Sequence, residues 1–385
     1  MEISAASFAY PQHEGAFRAR LADRLAGPGE VRKGFLLSTC LRVEIAVPGP
    51  EALLSETLHD LFGDLIDGDI QPRIRFREEA VGHLYRVAAG LESPILGEQE
   101  ILTQFRQSLI EAESSGRVEG VFARLLETAV ATGRHARELL PGSPHNSMAA
   151  VAAQAVGTSS RVAVLGSGIM ATAVVEGLAL LPAPPEITVV ARNPEKVPER
   201  PDIEVRSFGM AEETLRTFPA VISATSAKHR LIDDVSLAGV VAARKDPLLL
   251  IDMAMPPDFR PPEGTNVTYL DIDDLARMAG RRSRSEGADA LVAVAAADAY
   301  RQYRDHHEIG PLISGMMDSA DFLVEETVRR FSGRLRHPED ETALRQAVHT
   351  VARKLLAGPV GYLKKEDRSA EAIDVIADAF GVDGE

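Results

Sequence analysis

The sequence predicts an α/β multidomain protein, and three observations carry that prediction. Its 385 residues exceed what one ordinary core holds, so two or three domains are expected. Near the middle, the apolar run Arg161-Val162-Ala163-Val164-Leu165 leads straight into Gly166-Ser167-Gly168-Ile169-Met170-Ala171, and then into a helix from Thr172 to Leu181. Strand, glycine turn and helix in that order form the dinucleotide fingerprint of a Rossmann domain. From Arg281 onward only helical periodicity remains. The expected division is an N-terminal α+β domain at 1–142, the Rossmann domain at 143–280, and a long helix with a helical domain at 281–385.

Composition narrows the class. Hydrophobic residues make up 45% and charged residues 26%, the balance of a globular chain. No apolar run reaches the length of a membrane span. The N-terminus has no basic segment followed by an apolar core, so a cytoplasmic address is expected. A formal charge of −15 argues against general nucleic-acid affinity, while leaving room for a local basic patch. With no tryptophan and 5% aromatic residues, a base-stacking platform is not expected.

Phe17 to Leu25 reads as a basic amphipathic helix. The stretch from Phe35 to Glu44 holds the single cysteine, Cys40. Phe35, Leu36 and Leu37 lead in as a buried strand. Val43, Ile45 and Val47 alternate with Glu44 and Ala46 as a half-buried one, which puts Cys40 in a polar turn. A lone cysteine has no internal disulfide partner, so it serves either packing or reactivity. In the reactive reading, Arg42 favours thiolate over thiol. Pro48-Gly49-Pro50 is a turn, and Glu51 to Ile66 a helix with a leucine stripe. Arg73, Arg75 and Arg77 alternate with Ile74 and Phe76, a strand whose basic face is either solvated or a site for an anionic partner. A helix from Ala80 to Leu91, stopped by Gly90, carries His83, which is either structural or a neutral-pH acid or base. Ser93-Pro94 opens a further helix on which Gly97, Glu100 and Gln104 share a face opposite Leu102, Phe105 and Leu109.

Two blocks here, STCLRVE from Ser38 and HLYRVAAGLESPILGEQEILTQF from His83, resemble the glutamyl-tRNA reductase family. That family typically reads STCNR, HLFRVAAGLDS and GEPQILGQ, and the resemblance continues through the C-terminal half. It implies NADPH-dependent reduction of glutamyl-tRNA to glutamate 1-semialdehyde through a cysteine thioester, the first step of tetrapyrrole (porphyrin and haem) biosynthesis. It makes Cys40 the nucleophile and His83 an activity-linked group. Substrate contacts are implied at Thr39, Leu41, Arg42, Ser93, Glu98, Gln99, Glu100 and Gln104, with Arg42 suited to the glutamyl carboxylate. A glutamate-1-semialdehyde aminomutase is a candidate recipient of the product. Three departures stand out. Leu41 replaces asparagine, Gln99-Glu100 replaces Pro-Gln, and the family's Thr-Ala-Pro motif is absent from residues 1–33. Leu41 removes an amide and Glu100 adds a negative charge. Weak activity is therefore expected, improved by combining Leu41→Asn with Glu100→Gln. Other readings are a divergent enzyme using another activated acyl group, a non-catalytic NADPH-binding dimeric regulatory protein, and an ordinary dehydrogenase with a structural Cys40.

Arg117 to Leu140 is helical, Pro141-Gly142-Ser143-Pro144 reads as a linker, and Ser147 to Val156 as a short helix. In the fingerprint, Gly166 permits the turn, Gly168 lets a pyrophosphate approach, and Ala171 lets helix and strand pack; Ser167, Ile169 and Met170 complete the cofactor-binding turn. The next strand, Ile187 to Ala191, ends in Arg192 rather than an acid, which suits the extra phosphate of NADPH. Further strands are read at Ala220 to Ser226, Pro247 to Ile251 and Asn266 to Leu270. The acidic run Asp271 to Asp274 is read as a capping loop, with Asp273 or Asp274 capping a helix from Leu275 to Gly280, and no metal is expected. Arg281 to His307 forms a long helix that begins with the basic run Arg281-Arg282-Ser283-Arg284; the resemblance makes it a spinal helix linking all three domains. After a break at Ile309-Gly310-Pro311, amphipathic helices from Leu312 to Leu335 and from Glu339 to Leu356 leave an apolar surface with no internal partner. A homodimer is therefore expected.

Overall fold

The computed structural model describes residues 2–26, 33–66, 70–140, 147–225, 227, 230–260, 266–279, 285–335, 337–365 and 369–381. The expected linker from Pro141 to Pro144, the basic run from Arg281 to Arg284 and both expected domain boundaries lie outside the described residues. Residues 2–299 form one compact unit and 300–385 a second.

The first unit opens with β1 (Ser4–Ala9), α1 (Gly15–Ala26), β2 (Phe35–Ser38), β3 (Arg42–Val47), α2 (Glu51–Phe62), β4 (Arg73–Phe76) and α3 (Arg77–Ala88). Its strands make an antiparallel sheet ordered β2-β3-β1-β4. One sheet face carries Ala6, Phe8, Val43, Ile45 and Val47, packed against Phe17 and Leu21 of α1 and Leu54, Leu58 and Phe62 of α2. The pleat sends alternate residues to the other face. There the register sets Ala9 opposite Arg42, Ser7 opposite both Glu44 and Arg73, and Ala5 opposite Arg75. The expected half-buried β3 is instead buried at every position, because α3 covers the polar face as well. The expected basic strand is also revised. Arg75 is buried, while Arg77 leaves the strand at φ 54 and starts α3.

α4 (Gln99–Ser114) and α5 (Gly120–Glu138) follow. The expected helix from Ser93 does not form before Gln99. Gly90 and Gly97 both take φ 73, and a Cβ on Gly90 would lie 3.1 Å from the Gly97 Cα, so the chain between them runs as a tight non-helical loop. Next come α6 (Met148–Ala155), whose N-terminal Ala150 amide is capped by the Ser147 hydroxyl, then β5 (Arg161–Leu165), α7 (Ile169–Ala179), β6 (Glu186–Ala191), β7 (Ile203–Ser207), α8 (Ala211–Thr217), β8 (Ala220–Ser223), α9 (Asp234–Ala242), β9 (Leu248–Asp252), β10 (Val267–Leu270) and α10 (Ile272–Ala279). The strands pair in parallel in the order β10-β9-β8-β5-β6-β7, the doubly wound Rossmann order, which reverses between β5 and β8. The fingerprint helix begins at Ile169, earlier than the expected Thr172, because Gly168 already serves as its N-cap. The acidic run does cap a helix, but through Asp271 and Asp274. Each carboxylate accepts the other's backbone N–H, at 2.8 and 3.1 Å, while Asp273 turns elsewhere. Among the described residues no metal-ligand cluster occurs and no helix is long and apolar enough to cross a membrane.

α11 (Glu286–Glu308) leads to α12 (Gly310–Ser332), α13 (Pro338–Leu363) and α14 (Ala370–Phe380). Gly310-Pro311 is not a gap but the start of α12, where proline's missing N–H is no loss. Ile309, Leu312, Met316, Leu356 and Leu363 form the core of this unit, and α13 runs on past the expected Leu356.

Candidate active site

Glu44 is the hub of the polar sheet face, and it is fully buried. Oε1 accepts from Ser7 Oγ at 3.0 Å and from Arg42 Nη1 at 3.0 Å, while Oε2 lies 2.9 Å from His83 Nε2. Burial pushes the Glu44 carboxyl up, but His83, Arg42 and the Ser7 hydroxyl outweigh it and hold the group below its ordinary value. A carboxylate on Nε2 fixes the imidazole proton there and leaves Nδ1 as the lone-pair nitrogen. His83 is therefore oriented, as an acid–base group must be. Sequence reasoning read Glu44 as the solvent face of a strand. The signal it passed over is the Arg42–Glu44 spacing, which puts opposite charges on one face of a strand.

Arg42, Arg75, His83, Arg86, Glu92 and Ser93 line a cavity of about 850 Å³. Arg42 Nη2 donates to the Glu92 carbonyl, and Arg86 pairs with Glu92 and Asp289. A second cavity, of about 1,260 Å³, lies between α1 and the loops after β9 and β10, with Asp252 and Tyr269 in its wall.

The Cys40 turn is tied by its backbone. Thr39 Oγ1 accepts from the amides of Leu41 and Arg42, at 3.3 and 3.2 Å. Arg18 Nε and Nη2 donate to the Cys40 carbonyl at 3.2 and 3.0 Å, and Arg18 also binds the His13 carbonyl and the Asp273 carboxylate. The thiol is half-buried beside the apolar cluster of the Rossmann sheet. The expectation that Arg42 favours the thiolate is overturned. Arg42 is turned to Glu44 and Glu92, and burial, with Glu98 adding to it, pushes the thiol up to about 12 against the pull of Arg18. Below that value the thiolate fraction grows tenfold per pH unit. Alkylation of Cys40 by iodoacetamide should therefore rise about tenfold per unit from pH 7 to 10. A plateau below pH 9 would contradict this environment.

Glu98 is buried, and burial together with Glu100 pushes its pKa up to about 7. Glu100 is half-buried and Gln104 follows one turn later on α4; the Gln99 side chain lies outside the described residues. Ser93 belongs to the Arg42 cavity and Glu98 and Glu100 act on Cys40, two groups that Arg42 bridges through its pull on Glu98. Leu41 joins neither. It is 4% exposed and sits in one buried cluster with Ile95, Met148, Ala149 and Val162, so its expected role at the substrate gives way to packing.

The fingerprint turn fits a dinucleotide. Gly166 takes φ 120, and a Cβ there would meet the Ala224 carbonyl at 2.6 Å; a Cβ on Gly168 would meet nothing within 4 Å, leaving its backbone open to a phosphate. Ser167 and Ala171 line the small adjoining pocket, with Ile169 and Met170 in the first turn of α7. Arg192 is exposed just past β6. Arg200, which sequence reasoning did not single out, lines that pocket but is paired with Asp202 at 2.7 Å.

Comparison with known families agrees with this layout. Residues 6–139 match the model for the glutamyl-tRNAGlu reductase N-terminal domain, 150–278 that for shikimate/quinate 5-dehydrogenase, and 288–382 that for the glutamyl-tRNAGlu reductase dimerisation domain. The glutamyl-tRNA reductase of Sorangium cellulosum is 30% identical over 414 residues, covering 94% of this chain and 77% of that protein. The chain belongs to the glutamyl-tRNA reductase family. A further glutamyl-tRNA reductase, from Roseiflexus castenholzii, is 28% identical over 382 residues, covering 92% and 88%. The solved glutamyl-tRNA reductase from Methanopyrus kandleri aligns over 99% of both chains at 23% identity, with a TM-score of 0.45. A dehydrogenase-type middle domain implies that this reductase family member uses a nicotinamide cofactor.

Proposed function

We propose that this protein reduces glutamyl-tRNA to glutamate 1-semialdehyde with NADPH, the entry to tetrapyrrole biosynthesis, as a cytoplasmic homodimer. The observation that carries the reading is the union, in one compact unit, of a lone cysteine on a braced turn, an oriented histidine in an arginine-lined cavity and a Rossmann fingerprint. Cys40 Sγ bonds to the ester carbonyl carbon, the carbonyl–ribose bond breaks, and the tRNA hydroxyl leaves with a proton, so a thioester remains on the enzyme. Glu98 couples to the thiol and has a pKa of about 7, which suits it to take the thiol proton. The glutamyl ammonium offsets acidic charge beside Cys40, which favours ionisation once substrate is bound. His83 Nδ1 takes that proton on and delivers it to the departing oxygen. Gly166, Ser167, Gly168, Ile169, Met170 and Ala171 would hold NADPH, which when bound supplies hydride to the thioester. Cys40 then leaves as thiolate and recovers its proton, and the aldehyde is free.

The exposed Phe322 and Leu355, 70% and 73% accessible, support the homodimer. An aldehyde is reactive in water, so the reading includes hand-over to a glutamate-1-semialdehyde aminomutase. Purified protein given glutamyl-tRNA and NADPH, with the aldehyde trapped, tests the function; NADPH oxidation without trapped aldehyde would refute it. NADPH should bind more tightly than NADH, and Arg192→Ala should narrow the gap by about 1–3 kcal/mol. Equal affinities in the unmodified protein would contradict the Arg192 assignment.

A further inference from the structure

We propose that the larger cavity, between α1 and the loops after β9 and β10, holds the 3′ end of the tRNA while the aminoacyl group lies in the smaller one. This rests on the reductase reading and specifies where its nucleic-acid substrate is gripped.

The two cavities share a wall. Gln12 and Arg73 line both, so a chain whose ester reaches Arg42, His83 and Ser93 in the smaller one continues directly into the larger. α1 ties that space to the nucleophile. Its Arg18 holds the Cys40 carbonyl, while Phe17 and Arg20 of the same helix line the cavity. At about 1,260 Å³ the cavity exceeds the roughly 300–1,000 Å³ of a small-molecule site, so an aminoacyl group alone would leave most of it unused.

The lining has the chemistry of a nucleotide site. Arg20, Arg73 and Arg260 are exposed there, and none of them forms an ion pair among the described residues; Arg20 only leans on the Phe17 ring, at 5.3 Å. Arg230 lines the cavity too but is paired with Asp234. Unpaired guanidiniums around one space suit phosphates, and each nucleotide brings one. With a formal charge of −15 the chain as a whole repels nucleic acid, so a local cluster of this kind decides where a phosphate backbone can sit. Four acids also stand in the wall. Asp252 is engaged by the Ala254 and Phe259 amides and the Tyr269 hydroxyl, and Asp271 by the Asp274 amide. Glu14 and Asp23 are exposed, and they offer acceptors to the exocyclic amines of adenine and cytosine, the bases of a tRNA 3′ end. Phe17 and Phe259 add apolar wall for a base. No residue of the fingerprint turn from Gly166 to Ala171 lines this cavity, so the pyrophosphate of a dinucleotide is held elsewhere.

The test measures binding of three probes to the full chain: uncharged glutamate-accepting tRNA, the same tRNA trimmed of its terminal CCA, and NADPH. Arg20→Gln combined with Arg260→Gln should weaken binding of intact tRNA about 10- to 100-fold at low salt and reduce the slope of log affinity against log salt by about 1–2. Trimmed tRNA should bind both proteins within about twofold of each other, and NADPH affinity and melting temperature should not change. Arg260→Gln alone carries the comparison if the double variant does not fold. Equal weakening of intact and trimmed tRNA would put the arginines on another part of the tRNA and overturn the site. A fall in NADPH affinity would make it a cofactor site and overturn it as well, as would equal binding of intact tRNA by both proteins. Trapping of the aldehyde from glutamyl-tRNA judges the reductase reading separately. No aldehyde, with binding that needs both the CCA end and the arginines, refutes that reading and leaves the site standing. Aldehyde without such dependence refutes the site and leaves the reading.

Discussion

Cys40→Ser is expected to cut reduction of glutamyl-tRNA by at least about 1,000-fold while leaving NADPH affinity and melting temperature unchanged. The turn is held through backbone atoms. Arg18 grips the Cys40 carbonyl, and Thr39 Oγ1 takes the next two amides, so exchanging sulfur for oxygen leaves its supports in place. What changes is the chemistry. A serine hydroxyl ionises far less readily than a thiol, and the ester it would form accepts hydride less readily than a thioester. Single-turnover assays with charged tRNA measure the effect directly. Reduction within tenfold of the unmodified rate would sink the covalent mechanism.

Leu41→Asn is expected to destabilise the protein by about 3–5 kcal/mol and to give no gain in turnover, alone or with Glu100→Gln. Removing leucine from a close-packed site forfeits its buried surface, and asparagine then brings an amide into a cluster built from Ile95, Met148, Ala149 and the strands of the Rossmann sheet. The family's asparagine is therefore not a simple repair for this chain, whose neighbours at that position are apolar. Urea titration of the unfolding transition of residues 2–299 in the whole protein reads the cost. An unchanged midpoint together with faster turnover would return Leu41 to the substrate.

Local signals reached the fold further than the site. The fingerprint from Gly166 to Ala171, the apolar strands β5, β6 and β9 and the C-terminal helices were legible because each is a run of one periodicity bounded by glycine, proline or a charged turn. Edge strand β7 was not singled out. Ile203-Glu204-Val205-Arg206-Ser207 is half exposed and mixes charge with apolar residues, as a strand paired on one side can afford to do. At the site, Thr39, Cys40 and Arg42 stood out as a cluster in sequence. Arg75 was read within a basic strand face, either solvated or a site for an anionic partner, whereas Glu44 did not stand out, because its meaning depends on α3 closing over a sheet face that alternation alone marks as solvent. Leu41 and Asp273 were misread for a related reason. Each sits in a polar-looking segment, and each finds its partners more than 50 residues away, Leu41 among the residues after Met148 and Asp273 at Arg18.

Arg18 has no exposed surface, and one guanidinium joins the carbonyl of the nucleophile's own residue to Asp273 at the start of α10, while Asp273 also takes the Gly15 amide at 2.9 Å. Such a fastening makes the thiol a gauge of the nucleotide-binding half. Any displacement of α10 that accompanies nucleotide occupancy must pull on the Cys40 peptide or break a buried ion pair. Thermodynamic reciprocity then applies to binding: to whatever degree nucleotide alters the affinity of the Cys40 side for substrate, substrate must alter nucleotide affinity by the same factor.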